Sequence, residues 1–154
     1  MARVQDVAAY ILDQLGPMTA MKLQKLCYYA YGHHLAWEER QLFPERFEAW
    51  ANGPVCKELY AKHRGRFQLQ PGEIKGDPKA LDEGERESID LVLAGYGDFS
   101  ASQLSQMTHR EPPWVWARER AGVDAMERSD EQLTDDDMFE FFESLNAAST
   151  DGAE

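Results

Sequence analysis

The first forty residues carry apolar side chains at helical spacing. Apolar residues recur at i, i+3, i+4 and i+7 over residues 4–15, and Gly16-Pro17 ends this pattern. Thr19 is suited to capping a second helix, whose apolar stripe then includes Leu23, Leu26, Cys27, Ala30, His34 and Leu35. Tyrosines fall on both sides of this stripe, so we expect the second helix to lie deep and to contact neighbours all round.

The middle of the chain loses the helical period. Residues 42–50 read as a turn followed by a short extended segment, and Gly53-Pro54 marks a break. Pro54 suits the first turn of a helix, so the pattern predicts that a helix opens there, with Val55 on its buried face. Residues 64–80 are rich in Gly, Pro and charge, and alternation around Phe67 is compatible with a small strand pair.

Helical spacing returns in the second half. Residues 81–97 carry one apolar stripe, Ser100 with Gln103 forms a capping box, and Pro112-Pro113 opens another short helix. A last helix starts at Thr134, where three Asp residues suit the positive end of the helix. We therefore predict a mostly α protein. It would be one compact helical domain of about six to seven helices over residues 1–146, with room for a two-stranded β element around 46–75 and a flexible polar tail at 147–154.

The composition favours a packed and acidic protein. The 154 residues are 43% hydrophobic, and the formal net charge is −12. Counted by position, residues 1–76 carry +2 and residues 77–154 carry −14. A chain of this charge repels phosphate, so nucleic acid and anionic membrane are not expected partners. The acidic half makes a basic protein partner worth considering.

The expected compartment is the cytoplasm. The N-terminal residues lack an apolar core of signal-peptide length, and no apolar run approaches the roughly 18–20 residues of a membrane span. Cys27 and Cys56 are too few for a secreted disulfide framework and are expected to be reduced core residues.

No residue pattern indicates a metal site, a cofactor or a catalytic centre. Neither CxxC nor HExxH occurs, and His33 and His34 point to different sides of a helix. Cys56 would be the more reactive thiol if a helix began just before it, because a helix N-terminus lowers a thiol pKa. We therefore expect no enzyme, no cofactor and no metal. The remaining alternative is a small enzyme or ligand-binding domain in which His109, Glu111 and Cys56 converge in a pocket.

Two segments are only partly explained by ordinary packing. In residues 47–55 an aromatic-bearing extended segment turns sharply, and in residues 104–114 polar residues lie between a helix end and a helix opened by proline. One interpretation is a polar hinge with Trp114 in the core. The other is a protein interface, because aromatic residues and Arg near a rigid turn commonly anchor such surfaces.

Three motifs resemble the Panacea antitoxin domain family, which includes SocA-type antitoxins and GepA-like proteins of phages. The first is the run from Met21 to Gly32, which reads MKLQKLCYYAYG. The second is FEAW at 47–50 followed by Gly53-Pro54-Val55 and Tyr60, and the third runs from Leu104 through Thr108-His109 and Trp114 to Arg118. Together they span about residues 4–120. The last helix lies beyond the part that can be matched.

The resemblance implies an antitoxin that binds a separate toxin encoded by an adjacent gene. It also implies that one domain neutralises unrelated toxin types, so membership leaves the toxin unidentified. A SocA-type relative acts as an adaptor for proteolysis, so delivery of the toxin to a ClpXP-type protease is the alternative to simple binding. The oligomeric state stays open.

The predicted partner contacts come from the turn at Gly53, the 108–114 loop and the exposed side of the second helix. They are Lys22, Lys25, Tyr29, His33, Trp50, Gly53, Pro54, Val55, Thr108, His109, Arg110, Glu111 and Trp114.

Overall fold

The structure is a computed structural model that describes the backbone of residues 1–152 and the side chains of residues 1–148. The described chain contains seven α-helices: α1 (Val4–Leu15), α2 (Ala20–Glu38), α3 (Lys57–His63), α4 (Glu83–Tyr96), α5 (Ala101–Thr108), α6 (Pro112–Ala121) and α7 (Asp135–Gly152). A short 3-10 helix covers Pro78–Ala80, and the strands are β1 (Met18–Thr19), β2 (Phe47–Trp50), β3 (Gly53–Cys56) and β4 (Gln68–Leu69). The predicted mostly helical fold is confirmed.

Helix α2 is the centre of the molecule. Every residue from Leu23 to Leu35 is buried, which confirms the prediction of a helix with neighbours all round. Helices α1, α4, α5 and α7 and strand β3 all pack against it. Helix α7 approaches α2 closely at Gly32, where an added Cβ would lie 2.0 Å from the Phe142 ring. Only a residue without a side chain fits at this crossing.

The predicted helix caps form as expected. The hydroxyl of Thr19 accepts a hydrogen bond from the Lys22 amide, and Ser100 and Gln103 cap α5 reciprocally. At α7 the amide of Asp137 donates to Thr134 Oγ1 at 3.1 Å. These local contacts define where three helices begin.

Two small antiparallel sheets complete the fold. Strands β2 and β3 form a hairpin in which Trp50 pairs with Gly53 across the Ala51-Asn52 turn, and β1 pairs with β4. The β2–β3 hairpin confirms the β element predicted around 46–75. The alternation near Phe67 corresponds to β4, whose partner is the distant β1.

One local prediction is wrong. Pro54 and Val55 belong to strand β3, and the helix that follows begins only at Lys57. Gly53 has φ +117°, in the left-handed region that favours glycine, so the chain turns back along β2 there instead of entering a helix.

Helix α7 is longer than the sequence predicts. Helix α7 continues to Gly152, so residues 147–152 of the segment predicted as a tail have helical backbone. Ala153 and Glu154 lie outside the described residues, and the flexible tail stays a prediction. Within residues 1–152, no helix is both long enough and apolar enough to cross a membrane.

Candidate partner-binding site

The β2–β3 hairpin is held by side chains that bind its backbone carbonyls. The six accepting carbonyls and their donors are Ala49 with Arg118, Trp50 with Trp114, Ala51 with His109, Asn52 with Ser105, Pro54 with Lys25 and Cys56 with Gln24. The donor–acceptor distances lie between 2.5 and 3.2 Å. The donors come from α2, α5 and α6 and from His109, which directly follows α5, so three helices and one helix end fix one hairpin. We call these six side chains the carbonyl clamp.

Both outer edges of the hairpin are also covered. On the β3 side, Gln24 Oε1 accepts a hydrogen bond from the Cys56 amide at 2.9 Å while its Nε2 donates to the Cys56 carbonyl. The side-chain amide therefore replaces a neighbouring strand. On the β2 side, the Ala49 amide donates to the Glu131 carbonyl at 2.8 Å, and the Leu133 amide donates to the Phe47 carbonyl at 2.9 Å. Covered edges cannot pair with another chain by strand addition.

Lys25 is the most unusual member of the clamp. Its side chain is 1% exposed, and Nζ donates to the Pro54 carbonyl at 3.2 Å. Burial lowers the pKa of Lys25 to about 7, because the charged form is poorly solvated there. An added Cβ at Gly53 would lie 2.7 Å from both Lys25 Cε and Thr108 Oγ1, so the glycine lets α2 and α5 approach the hairpin.

Glu111 is a second buried ionisable group near the hairpin. It is 9% exposed, and the Tyr29 hydroxyl donates to its carboxylate at 2.9 Å. Burial raises the pKa of Glu111 to about 8, and the Tyr29 hydrogen bond opposes that change only in part. At neutral pH this carboxyl is therefore largely protonated.

The exposed part of the hairpin is its tip. Asn52 is exposed, and Trp50 and Ala51 are half-buried. One cavity of about 550 Å³ is lined by Glu48, Trp50, Asn52, Arg128 and neighbouring residues; we call it the Glu48 cavity. A second cavity of about 720 Å³, the Lys25 cavity, also reaches the tip. Met21 and Asn52 line both cavities.

The structure buries most of the residues predicted to contact a partner. Nine of them are buried, three are half-buried (Lys22, Trp50 and His109), and Arg110 alone is exposed. Many of these buried residues hold the hairpin, as Lys25 and Trp114 do in the clamp, whereas His33 binds Tyr96 and Asn146 at a distance from it. Sequence reasoning missed Asn52 and Ser105. The Asn52-Gly53 pair is a hairpin-turn signal that could have revealed the tip, whereas only the fold brings Ser105 to the Asn52 carbonyl.

The three residues of the enzyme alternative do not line either of the two cavities at the tip. Cys56 Sγ donates to Glu58, His109 contacts the Ala51 carbonyl and Glu111 binds Tyr29. Cys56 is a free, buried thiol, as expected for a core cysteine, and burial raises its pKa to about 12, which is opposite to the activation considered for a helix N-terminus. Among the described residues, no group of three or more His, Cys, Asp or Glu is arranged to hold a metal ion.

Comparison with known proteins assigns the chain to a family. The family model described as "Antitoxin SocA-like, Panacea domain" matches residues 23–115. The chain belongs to this Panacea family. Antitoxin SocA of Caulobacter vibrioides (strain NA1000 / CB15N) is 33% identical over 124 residues, which cover 70% of this chain and 66% of that relative. The chain thus spans just under two thirds of the relative's length. No solved structure matches it significantly.

The Panacea match includes the whole hairpin and five of its six clamping side chains. Only Arg118 lies beyond the matched residues, and it donates to the carbonyls of Ala49, Asp124, Ala125 and Glu127. The family segment therefore corresponds to the framework that holds the hairpin, and helix α7 packs against that framework from outside the match.

Proposed function

We propose that this protein is an antitoxin that neutralises a protein toxin by binding it directly through the hairpin tip. Membership in the SocA-like Panacea family supports the antitoxin role. The carbonyl clamp is the observation that carries the choice of surface. It fixes the backbone of the hairpin before any partner arrives, and a preorganised surface loses little conformational entropy on binding.

The surroundings of the tip suit a protein contact. Asn52 lines two cavities, so a partner surface laid over the tip has two neighbouring depressions to fill. Trp50 is half-buried beside it, with its Nε1 donating to Glu48 at 2.8 Å. Partly exposed aromatic residues beside cavities that a partner side chain can fill are typical of the centre of a protein interface.

The charge of the protein indicates a basic toxin. The net charge of −12 leaves a strong negative field around the molecule. Such a field speeds the encounter with a positively charged partner more than it strengthens the final complex. Salt should therefore slow association of the two proteins.

The experiment combines growth and binding. The neighbouring gene is expressed with and without this protein, and the two products are purified together. Asn52→Arg places a long charged side chain at the tip while keeping the Asn52 carbonyl that binds Ser105. Gln14→Arg makes the same change of charge on the exposed face of α1 and serves as the matched control.

We expect the wild-type and Gln14→Arg proteins to restore growth and to co-purify with the toxin. Asn52→Arg should bind about 30-fold more weakly or worse, as expected for a residue at the centre of an interface. A tip variant that binds and rescues as well as the wild type would contradict the chosen surface. A neighbouring gene product that is harmless alone, or forms no complex, would contradict the function itself.

The same cultures separate occlusion from degradation. Under direct neutralisation the toxin accumulates as a complex, so its level stays constant or rises when this protein is present. If the toxin level falls and this fall requires a ClpXP-type protease, the protein acts by delivering the toxin for proteolysis and not by neutralising it through binding alone.

A further inference from the structure

The Lys25 cavity differs in charge from the rest of the molecule. Its lining includes Lys25 and Arg66, and no Asp or Glu occurs among the described residues that line it. This is unexpected in a chain with 28 acidic and 16 basic residues. The Glu48 cavity, by comparison, mixes Glu48 and Asp130 with Arg128.

Among the residues that the structure describes, none forms an ion pair with Lys25. The Pro54 carbonyl is its hydrogen-bonding partner, and a neutral oxygen compensates a buried ammonium only in part. A buried cation at a cavity wall gains most from an anionic group that enters the cavity and excludes water. The ammonium also keeps further donor capacity, because Lys carries three N–H groups.

Two other features of the cavity favour an anion. Arg66 lies at its exposed side, and its Nη1 donates to Glu73 at 2.7 Å, which uses one of the five N–H groups of the guanidinium. The opening residues of α2 and α5, Ala20 and Ala101, also line the cavity. The positive ends of two helix dipoles therefore add to the field of protonated Lys25 and of Arg66, whose charge Glu73 offsets in part.

The occupant is best explained as part of a protein. The cavity opens beside Asn52 at the hairpin tip, and Phe67, which is 81% exposed, lies on its lining. Lys25 can bind an anionic side chain of a partner while Phe67 packs against an apolar side chain beside it. A free inorganic anion would make no use of Phe67.

We propose that the Lys25 cavity receives a carboxylate side chain, Asp or Glu, of the bound toxin, and that Lys25 and Arg66 recognise it. This inference rests on the proposed function and deepens it. The acidic surface attracts a basic toxin in many orientations. One toxin carboxylate that enters the Lys25 cavity selects a single orientation of the complex. Elsewhere on the acidic surface the same carboxylate would be repelled.

The first test measures the complex. Lys25→Met and Arg66→Gln each remove one cation, and Lys62→Met removes an exposed cation of α3 outside the cavity lining. We expect about 30-fold weaker toxin binding for Lys25→Met, about tenfold for Arg66→Gln and an unchanged affinity for Lys62→Met. Full affinity in both cavity variants would overturn the proposal.

A double-mutant cycle identifies the carboxylate. Each Asp and Glu of the toxin is replaced by Ala in turn and combined with Lys25→Met. One toxin residue should show a coupling of at least tenfold with Lys25, whereas a folding defect in Lys25→Met would couple with none. Weakened binding without coupling to any toxin carboxylate would refute carboxylate recognition.

A second test uses the free protein and does not need the toxin. N-acetyl-aspartate and inorganic phosphate are titrated while amide chemical shifts are followed. We expect saturable shifts around Lys25 and Asn52 with N-acetyl-aspartate, and their loss in Lys25→Met.

Absence of saturable shifts with N-acetyl-aspartate overturns the cavity proposal whether or not a toxin complex forms. Shifts without any toxin complex overturn the proposed function alone. Carboxylate or phosphate binding that leaves toxin binding independent of Lys25 would reassign the cavity to a small anion.

Discussion

The burial of Lys25 makes a stability measurement informative, because its cost can be worked out from the structure. Lys25→Met keeps an unbranched side chain of similar length and removes the ammonium. The pKa of Lys25 is about 7 in the folded protein, whereas an unfolded chain holds it near 10.4. At about 1.4 kcal/mol per pKa unit, the folded state carries a penalty of about 4 kcal/mol at pH 7.

The substitution also removes a favourable contact. The Pro54 carbonyl loses its hydrogen bond from Nζ, and an unsatisfied buried acceptor costs about 1–3 kcal/mol. The balance predicts that Lys25→Met raises the free energy of unfolding by about 1–3 kcal/mol at pH 7. Lys62→Met, at an exposed position on α3, should change it by less than about 0.5 kcal/mol.

The pH dependence isolates the cause. Between pH 7 and the unfolded pKa, the unfolded state binds more protons at this residue than the folded state does. The penalty that Lys25 imposes on the wild type therefore decreases as the pH rises. The difference in the free energy of unfolding between Lys25→Met and the wild type should shrink by about 2 kcal/mol from pH 7 to pH 9.

Urea unfolding at both pH values for the wild type, Lys25→Met and Lys62→Met measures these differences. A Lys25→Met protein clearly less stable than the wild type at pH 7 would refute the penalty. An advantage that is the same at pH 7 and pH 9 would show that the ammonium is solvated in the folded protein.

Three further substitutions test other parts of the framework. Gly32→Ala should destabilise the protein by about 1–3 kcal/mol, because its methyl group overlaps the Phe142 ring; an unchanged urea midpoint would contradict the tight crossing of α2 and α7. The raised pKa of Glu111 makes the wild type lose stability as the pH rises from 5 to 8. The free energy of unfolding of Glu111→Gln, relative to that of the wild type, should therefore increase by about 3 kcal/mol over this range. A pH-independent difference in urea titrations would show that Glu111 ionises normally. Arg118→Ala should cost about 2–4 kcal/mol and speed amide hydrogen exchange over residues 122–130, because four carbonyls lose their donor; unchanged exchange there would show that the loop is held by other contacts.

The sequence predicts those parts of the fold that local chemistry decides. The stripes of α1 and α2 and the capping box of Ser100 with Gln103 depend on neighbours within four residues, and all of them form as predicted. Strand β3 was predicted as a helix start because Pro54 suits a first helical turn. Its actual structure depends on pairing with β2 and on Gln24, which is 32 residues away from Cys56.

The candidate site shows the same division. The motifs single out the Gly53 turn and the 104–114 segment, and the structure brings these two segments together beside α2. The roles of individual side chains could not be predicted, because a residue such as Lys25 or Thr108 reads as polar and exposed until its neighbours are known. Both are fully packed, and the exposed tip residue is Asn52.

The carbonyl clamp has a consequence for how this surface can evolve. Its donors bind main-chain oxygens, which every amino acid supplies equally. Replacing the side chains at Ala51 and Asn52 therefore leaves the His109 and Ser105 hydrogen bonds in place. The turn that we propose as the partner surface can therefore change its chemistry from one lineage to the next while the scaffold beneath it keeps both its shape and its stability.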